Sequence, residues 1–165
     1  MNDYGKMDSF VLGPDEGASY WQPLPSTGYI INKFTPYNTP YDTFATGLQV
    51  LEPGASIRQH AHERSHELIF VHQGEGYAEI EGKRYDIKQG SMMLLGRRSQ
   101  HLLCNTSDTQ MKLMWVIFPP GLEDWFATIG KERTPGEPVP EPFERPTDVE
   151  AIQDRQRFVR PEDDL

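Results

Sequence analysis

The stretch GASIRQHAHERSHELIFVHQG, residues 54–74, decides how this chain folds and what it holds. It sets His60 and His62 two residues apart inside Ser56–His62, a run that reads as a β-strand. Side chains alternate faces along a strand, so both imidazoles point to the same side. Glu67 lies five positions beyond His62, an odd offset that turns it to the opposite face of a continuous strand. A turn at Glu63–Ser65 restores the phase, and Glu-Arg-Ser is a sequence able to turn. A second strand then runs Glu67–His72, with His66 facing away from Glu67. His101 has to come from a distant strand to close the group.

Three imidazole nitrogens and one carboxylate suit Fe(II), Mn(II), Co(II), Ni(II), Cu(II) or Zn(II). Magnesium and calcium prefer oxygen and fit badly. A bare His-x-His is equally at home as two surface histidines on a polar hairpin. The spacing by itself leaves both readings open.

Further strand candidates flank this stretch. They are Tyr29–Phe34, Thr43–Leu51, Gly76–Glu81, Arg84–Ile87, Ser91–Leu95, His101–Asn105 and Gln110–Phe118. All are short, and turn residues punctuate them at Pro53-Gly54, Gly74–Gly76, Gly82-Lys83, Gln89-Gly90 and Ser107-Asp108. Many short strands at regular spacing argue for an all-β sandwich or barrel. Residues 1–28 mix glycine, proline and polar residues without periodicity and read as an N-terminal arm. The barrel is expected over 29–118, and 119–165 as a C-terminal segment of short helices and a strap. In that segment Leu122, Trp125, Phe126 and Ile129 recur at helical spacing, with Gly130 as a stop. Five prolines in 134–146 demand an extended strap. Thr147 to Glu150 fits a capping box, with a second helix to about Phe158.

The totals exclude several function classes. Net charge is −9, which repels phosphate backbones and argues against nucleic acid. The acids gather at Pro161–Leu165, as on a solvated terminus. The longest apolar run is Leu113–Phe118, far short of the about 20 residues of a membrane helix. The start, MNDYGKMDSF, lacks the basic and then apolar order of a signal peptide, so a cytoplasmic protein is expected. Cys104 is the sole cysteine, so no internal disulfide forms, and it reads as a small strand-packing residue.

Gly54, five residues, His60, one, His62, four, Glu67, six, Gly74 resembles the complete first motif of the cupin superfamily. Gly90, five residues, then Gly96, Arg98, His101 and Asn105 are similar in spacing to its second motif. Two positions depart: Gly96 replaces the family's usual proline, and Arg98 its usual glycine. The resemblance implies an antiparallel jelly-roll barrel of six or more strands around one divalent transition metal. It implies His60, His62, Glu67 and His101 as the ligands, and a homodimer. The tail from Gly121 to Phe126 is loosely similar to small cupins labelled dioxygenases.

Four protein ligands on an octahedral ion leave two positions for small-molecule oxygens. With Fe(II), the favoured metal, this points to a dioxygenase acting on an enolic, catecholic or α-keto substrate. Glu67 is the candidate base. Arg58, two before His60, faces inward on a regular strand, where a substrate carboxylate or enolate is its natural partner. Two alternatives use the same site. One is a redox-neutral lyase or isomerase that stabilises an enolate. The other is a non-catalytic small-molecule-binding module. Arg97 and Arg98 read as a solvated loop pair, and His72 as a surface or interface histidine. Trp115, Met93, Met111 and Met114 read as barrel core, and Trp125 and Phe126 as docking a helix.

Overall fold

The computed structural model describes residues 9–156 and the backbone of residues 158–159. Its strands are β1 (Ala18–Trp21), β2 (Gly28–Phe34), β3 (Ala45–Leu51), β4 (Ser56–His62), β5 (His66–Gln73), β6 (Glu75–Ile80), β7 (Lys83–Lys88), β8 (Met92–Leu95), β9 (His101–Asn105) and β10 (Met111–Phe118). Helix α1 (Leu122–Ile129), β11 (Lys131–Glu132), α2 (Val149–Gln156) and β12 (Phe158–Val159) follow. The nine strands expected from short β-rich runs between turn residues all form, each with ends within two residues of expectation. Two-residue strands such as β11 and β12 are too short to carry an alternation signal. Strand β1 lies in the stretch read as an arm and joins the sheet beside β2.

Every strand pairing among the described residues is antiparallel. One sheet runs β11-β1-β2-β3-β10-β5-β8, the other β12-β4-β9-β6-β7. The chain swaps sheets repeatedly: β3 lies in the first, β4 in the second, β5 in the first, β6 and β7 in the second. Strand β8 returns to the first sheet, β9 to the second and β10 to the first. That weaving makes a jelly-roll barrel.

Between the sheets lies the core. On β10, Met111, Leu113, Trp115 and Ile117 are buried, and the residues between them are half-buried. Met114 therefore stands on the outer phase of β10 and not in the core expected for it, because strand parity separates it from Met111. Met93 and Trp115 are in the core as expected, and Cys104 is half-buried on β9. Helix α1 buries Leu122, Trp125, Phe126 and Ile129 over the barrel, and the Phe126 ring lies 5.6 Å from that of Trp115. Neither helix is long or apolar enough to cross a membrane.

Helix α2 starts after Asp148, whose carbonyl accepts its first i→i−4 bond from Ile152. That is one residue later than a cap at Thr147 predicts. It ends at Gln156, and Phe158–Val159 pairs instead with His62 and Ala61 of β4. Residues 1–8 of the arm and the acidic Pro161–Leu165 lie outside the described residues.

Asn105 ends β9 fully buried. Its Nδ2 donates to the carbonyls of Leu51, Glu52 and Thr109 at 3.0, 3.0 and 2.8 Å. Its Oδ1 accepts from the Ser107 amide and hydroxyl at 3.1 and 2.8 Å. This side chain therefore ties the end of β3 to the turn before β10. Asn105→Ala is expected to cost about 2 kcal/mol, because buried carbonyls lose their donors. A lower urea midpoint with an unchanged m-value checks it.

Candidate metal centre

Strand β4 supplies His60 and His62, β5 supplies Glu67, and β9 supplies His101. The two sheets thus contribute to one point inside the barrel. His60 sits directly across from His101 in the β4–β9 register. The chain bends at Glu63 and Arg64 before β5 begins, and that bend returns Glu67 to the inner face. The buried phase of β5 is Glu67, Ile69 and Val71. His66 takes the other phase and stacks on Phe118, with ring centroids 5.6 Å apart.

The Nε2 atoms of His62 and His101 lie 3.2 and 3.4 Å from the same Glu67 oxygen, Oε2. The His60 ring centroid is 4.2 Å from that of His101 and 5.1 Å from that of His62. One donor atom from each of the four residues falls within 4.8 Å of the others, so the group can hold a metal ion.

Backbone carbonyls orient two of the rings. His60 Nδ1 donates to the Arg58 carbonyl and His101 Nδ1 to the Ser99 carbonyl, each at 2.8 Å. With the proton on Nδ1, each Nε2 keeps its lone pair, the state a metal requires. His101 Nε2 is buried and accepts no hydrogen bond within the protein. A buried acceptor left bare calls for a ligand, and a cation among three imidazoles and a carboxylate is the fitting one.

Electrostatics agree. Burial, then the neighbouring His101 and His62, holds His60 well below the usual histidine range against the pull of Glu67. His60 is therefore neutral near pH 7, ready to donate its lone pair. Burial alone would raise the Glu67 carboxyl, but the His101 and His62 imidazoles that face it outweigh burial. Glu67 is held ionised, well below the ordinary carboxylate range.

A cavity of about 250 Å³ opens beside the cluster. Ligand pockets usually run from about 300 to 1,000 Å³, so this one suits a small metabolite. Ile69, Leu113, Trp115, Trp125 and Phe126 give it apolar walls, so α1 both docks on the barrel and closes the cavity. Arg58 lines it too, but not from a regular strand. The β4–β9 register slips between Ile57 and His60, a bulge that breaks the alternation. Arg58 stands exposed at the mouth. Arg97 and Arg98 are exposed and lie outside the cavity lining, and His72 is exposed at the end of β5.

Arg98 has φ 61°, in the left-handed region. The glycine usual at that place adopts this conformation freely, whereas arginine is strained there. Its amide donates to the His62 carbonyl at 2.8 Å, which ties the turn before His101 to the end of β4.

Gln49 and Arg145 are among the polar groups of the cavity wall that the sequence reading passed over. Gln49 is a buried amide on the inward phase of β3, between Gly47 and Leu51. A polar residue on a buried phase is a signal that could have found it. Arg145 comes from the proline-rich strap, where no periodicity points anywhere.

Residues 47–117 match the family described as cupin domain. An oxalate-binding protein of Thermotoga maritima is 33% identical over 67 residues, 41% of this chain and 55% of that protein. The chain spans about half the length of the curated relatives it matches. Solved structures share the fold. The Thermotoga maritima protein described as a predicted oxalate decarboxylase has a TM-score of 0.58 at 21% identity, covering 67% of this chain and 98% of its own. A cupin-superfamily sugar phosphate isomerase from Silicibacter pomeroyi has a TM-score of 0.60 at 16% identity, covering 68% and 77%. With two interwoven sheets, both histidine motifs in register and that family match, residues 47–117 are a small cupin domain.

Proposed function

We propose that His60, His62, Glu67 and His101 bind one divalent transition metal, and that the domain is an enzyme acting on a small molecule held there through oxygen atoms. The buried Nε2 of His101 carries this reading, because it makes no hydrogen bond and faces the Glu67 carboxylate at 3.4 Å, lone pair to lone pair, with His60 and His62 beside it. When bound, the metal supplies Lewis acidity, and a redox-active one such as Fe(II) also supplies dioxygen chemistry.

The protein's own residues do the rest. The Arg58 and Ser99 carbonyls fix the His60 and His101 rings, so the donor set is oriented before anything binds. Glu67 is the candidate base for a substrate proton once its carboxylate is loosened from the metal. Trp115, Trp125 and Phe126 line the cavity and keep water away from a reacting group.

The dioxygenase expected from the sequence is one form of this proposal, with an enolic, catecholic or α-keto substrate. A redox-neutral lyase or isomerase is the other. A third reading is a non-catalytic small-molecule-binding module, which the name of the 33%-identical relative, an oxalate-binding protein, favours. The homodimer implied by the resemblance belongs to the proposal as well. Its support is Met92 and Leu94, exposed on the edge strand β8.

Calorimetry with oxalate and with an α-keto acid, on metal-free and on Zn(II)- or Fe(II)-loaded protein, tests the proposal. Binding at least about tenfold tighter to loaded protein is the expected result. Equal binding with and without metal would overturn the role of the four residues. Product formation by Fe(II)-loaded protein under air and under argon then separates the two forms. Equal turnover in both gases eliminates the dioxygenase.

A further inference from the structure

We propose that Arg58 and Arg145 form an oxyanion subsite on the cavity wall, which takes an anionic group of the substrate away from the four metal-binding residues. The inference rests on the proposed function for the identity of the ligand as a substrate. The subsite itself stands on the two arginines.

They arrive from unrelated parts of the chain. Arg58 lies in the bulge of β4, two residues before His60. Arg145 lies in the proline-rich strap, beyond the matched residues 47–117. Both line the same cavity. Strap and helix close over this side, since Arg145, Val149 and Gln153 line it together. The Arg145 guanidinium sits 5.7 Å from the centre of the Trp125 ring, which holds it against the apolar wall.

Two like charges brought into one cavity repel, and a half-buried guanidinium loses hydration. Protein arginines in that position normally meet a carboxylate. Among the described residues neither Arg58 nor Arg145 is in an ion pair. Glu67 is engaged by His62 and His101. Glu150 also lines the cavity, but from an exposed position. Arg145 Nε is buried and makes no hydrogen bond. Burial first, and then the charge of Arg58, pulls the Arg145 guanidinium down to about 10, with no acid offsetting it. The protein alone therefore leaves the buried Arg145 Nε without an acceptor, beside a second guanidinium at the cavity mouth. A carboxylate or a phosphate answers both, because guanidinium forks match planar and tetrahedral oxyanions.

Titration of metal-free and Zn(II)-loaded protein with succinate, and separately with inorganic phosphate, tests the subsite. Calorimetry and Trp fluorescence report it, the latter because Arg145 lies by Trp125. At least one anion is expected to bind metal-free protein. Arg145→Ala and Arg58→Ala are each expected to weaken it by at least about tenfold, the usual scale for a charged hydrogen bond. Arg145→Lys restores part of the loss, and Arg97→Ala, outside the cavity, changes nothing. Succinate alone binding assigns a carboxylate, phosphate alone a phosphorylated compound, and both the shared oxyanion chemistry. Thermal melts and Arg145→Gln guard against an unfolded variant. No binding of either anion to either form overturns the proposal, as does equal binding by folded Arg145→Ala and the parent. Failure of zinc to bind while the anion still does defeats the metal reading and leaves the subsite standing.

Discussion

His101→Ala is expected to strip the divalent metal while leaving the barrel folded. His101 is the donor separated from the others by the longest stretch of chain, 34 residues beyond Glu67. It sits opposite His60 in register, with its Nε2 bare and 3.4 Å from Glu67 Oε2. Removing it takes away one of four donors and also a partner that holds Glu67 ionised. Changes to groups that only support a ligand cost about 10–100-fold in metal affinity, so deleting a ligand is expected to cost more than about 100-fold. The fold survives because the strands bury their own apolar faces, unlike a zinc finger, which needs its ion to fold. Elemental analysis after dialysis against a known free-metal concentration reads occupancy, and circular dichroism reads the fold. Glu67→Ala is expected to behave alike. His66→Ala is the matched control, since His66 stacks on Phe118 outside the cluster. Full occupancy in His101→Ala, or loss of metal in His66→Ala but not in Glu67→Ala, would defeat the assignment.

That control depends on something the sequence already carried. The odd offset from His62 to Glu67 required a break at Glu63–Ser65, and the chain bends there. Strand identity was legible because β-rich runs and turn residues are local signals, each written within about ten residues. Arg58 was legible as a cavity residue but not in its exposure. A one-residue bulge between Ile57 and His60 depends on how β4 pairs with β9, and no local pattern announces pairing. Arg145 was not legible at all. Its place follows from where a strap of five prolines lands on the barrel, which is set by tertiary packing. The same holds for β12, whose partner β4 lies about a hundred residues earlier. Met114 failed for a simpler reason. In the run Leu113–Phe118 every residue is apolar, so hydrophobicity does not tell the inner phase from the outer.

The inner phase of that run holds the residue whose loss is expected to cost most in stability. Trp115→Ala is expected to lower unfolding free energy by about 3–5 kcal/mol, the range for emptying a buried aromatic site. Trp115 is 1% exposed at the centre of β10, between β3 and β5. Its ring packs against Phe126 of α1, so its removal loosens both the sheet and the helix that closes the cavity. Across the ladder its partner is Gly47. A Cβ built on Gly47 would stand 2.6 Å from the Trp115 ring, so the indole occupies space that only glycine leaves free. It would also meet the Ile31 carbonyl, which belongs to the backbone and cannot step aside. Gly47→Ala is therefore expected to destabilise through two contacts, only one of which involves Trp115. In the double variant the ring contact is gone and the carbonyl contact remains. The penalty of Gly47→Ala should shrink in the Trp115→Ala background without vanishing, a coupling that a double-mutant cycle in urea measures. For a chain of this size the Trp115→Ala loss corresponds to a fall in Tm of roughly 6–20 °C, at about 2–4 °C per kcal/mol. A folded Trp115→Ala protein within about 1 kcal/mol of the parent would mean that β10 packs differently from the register described.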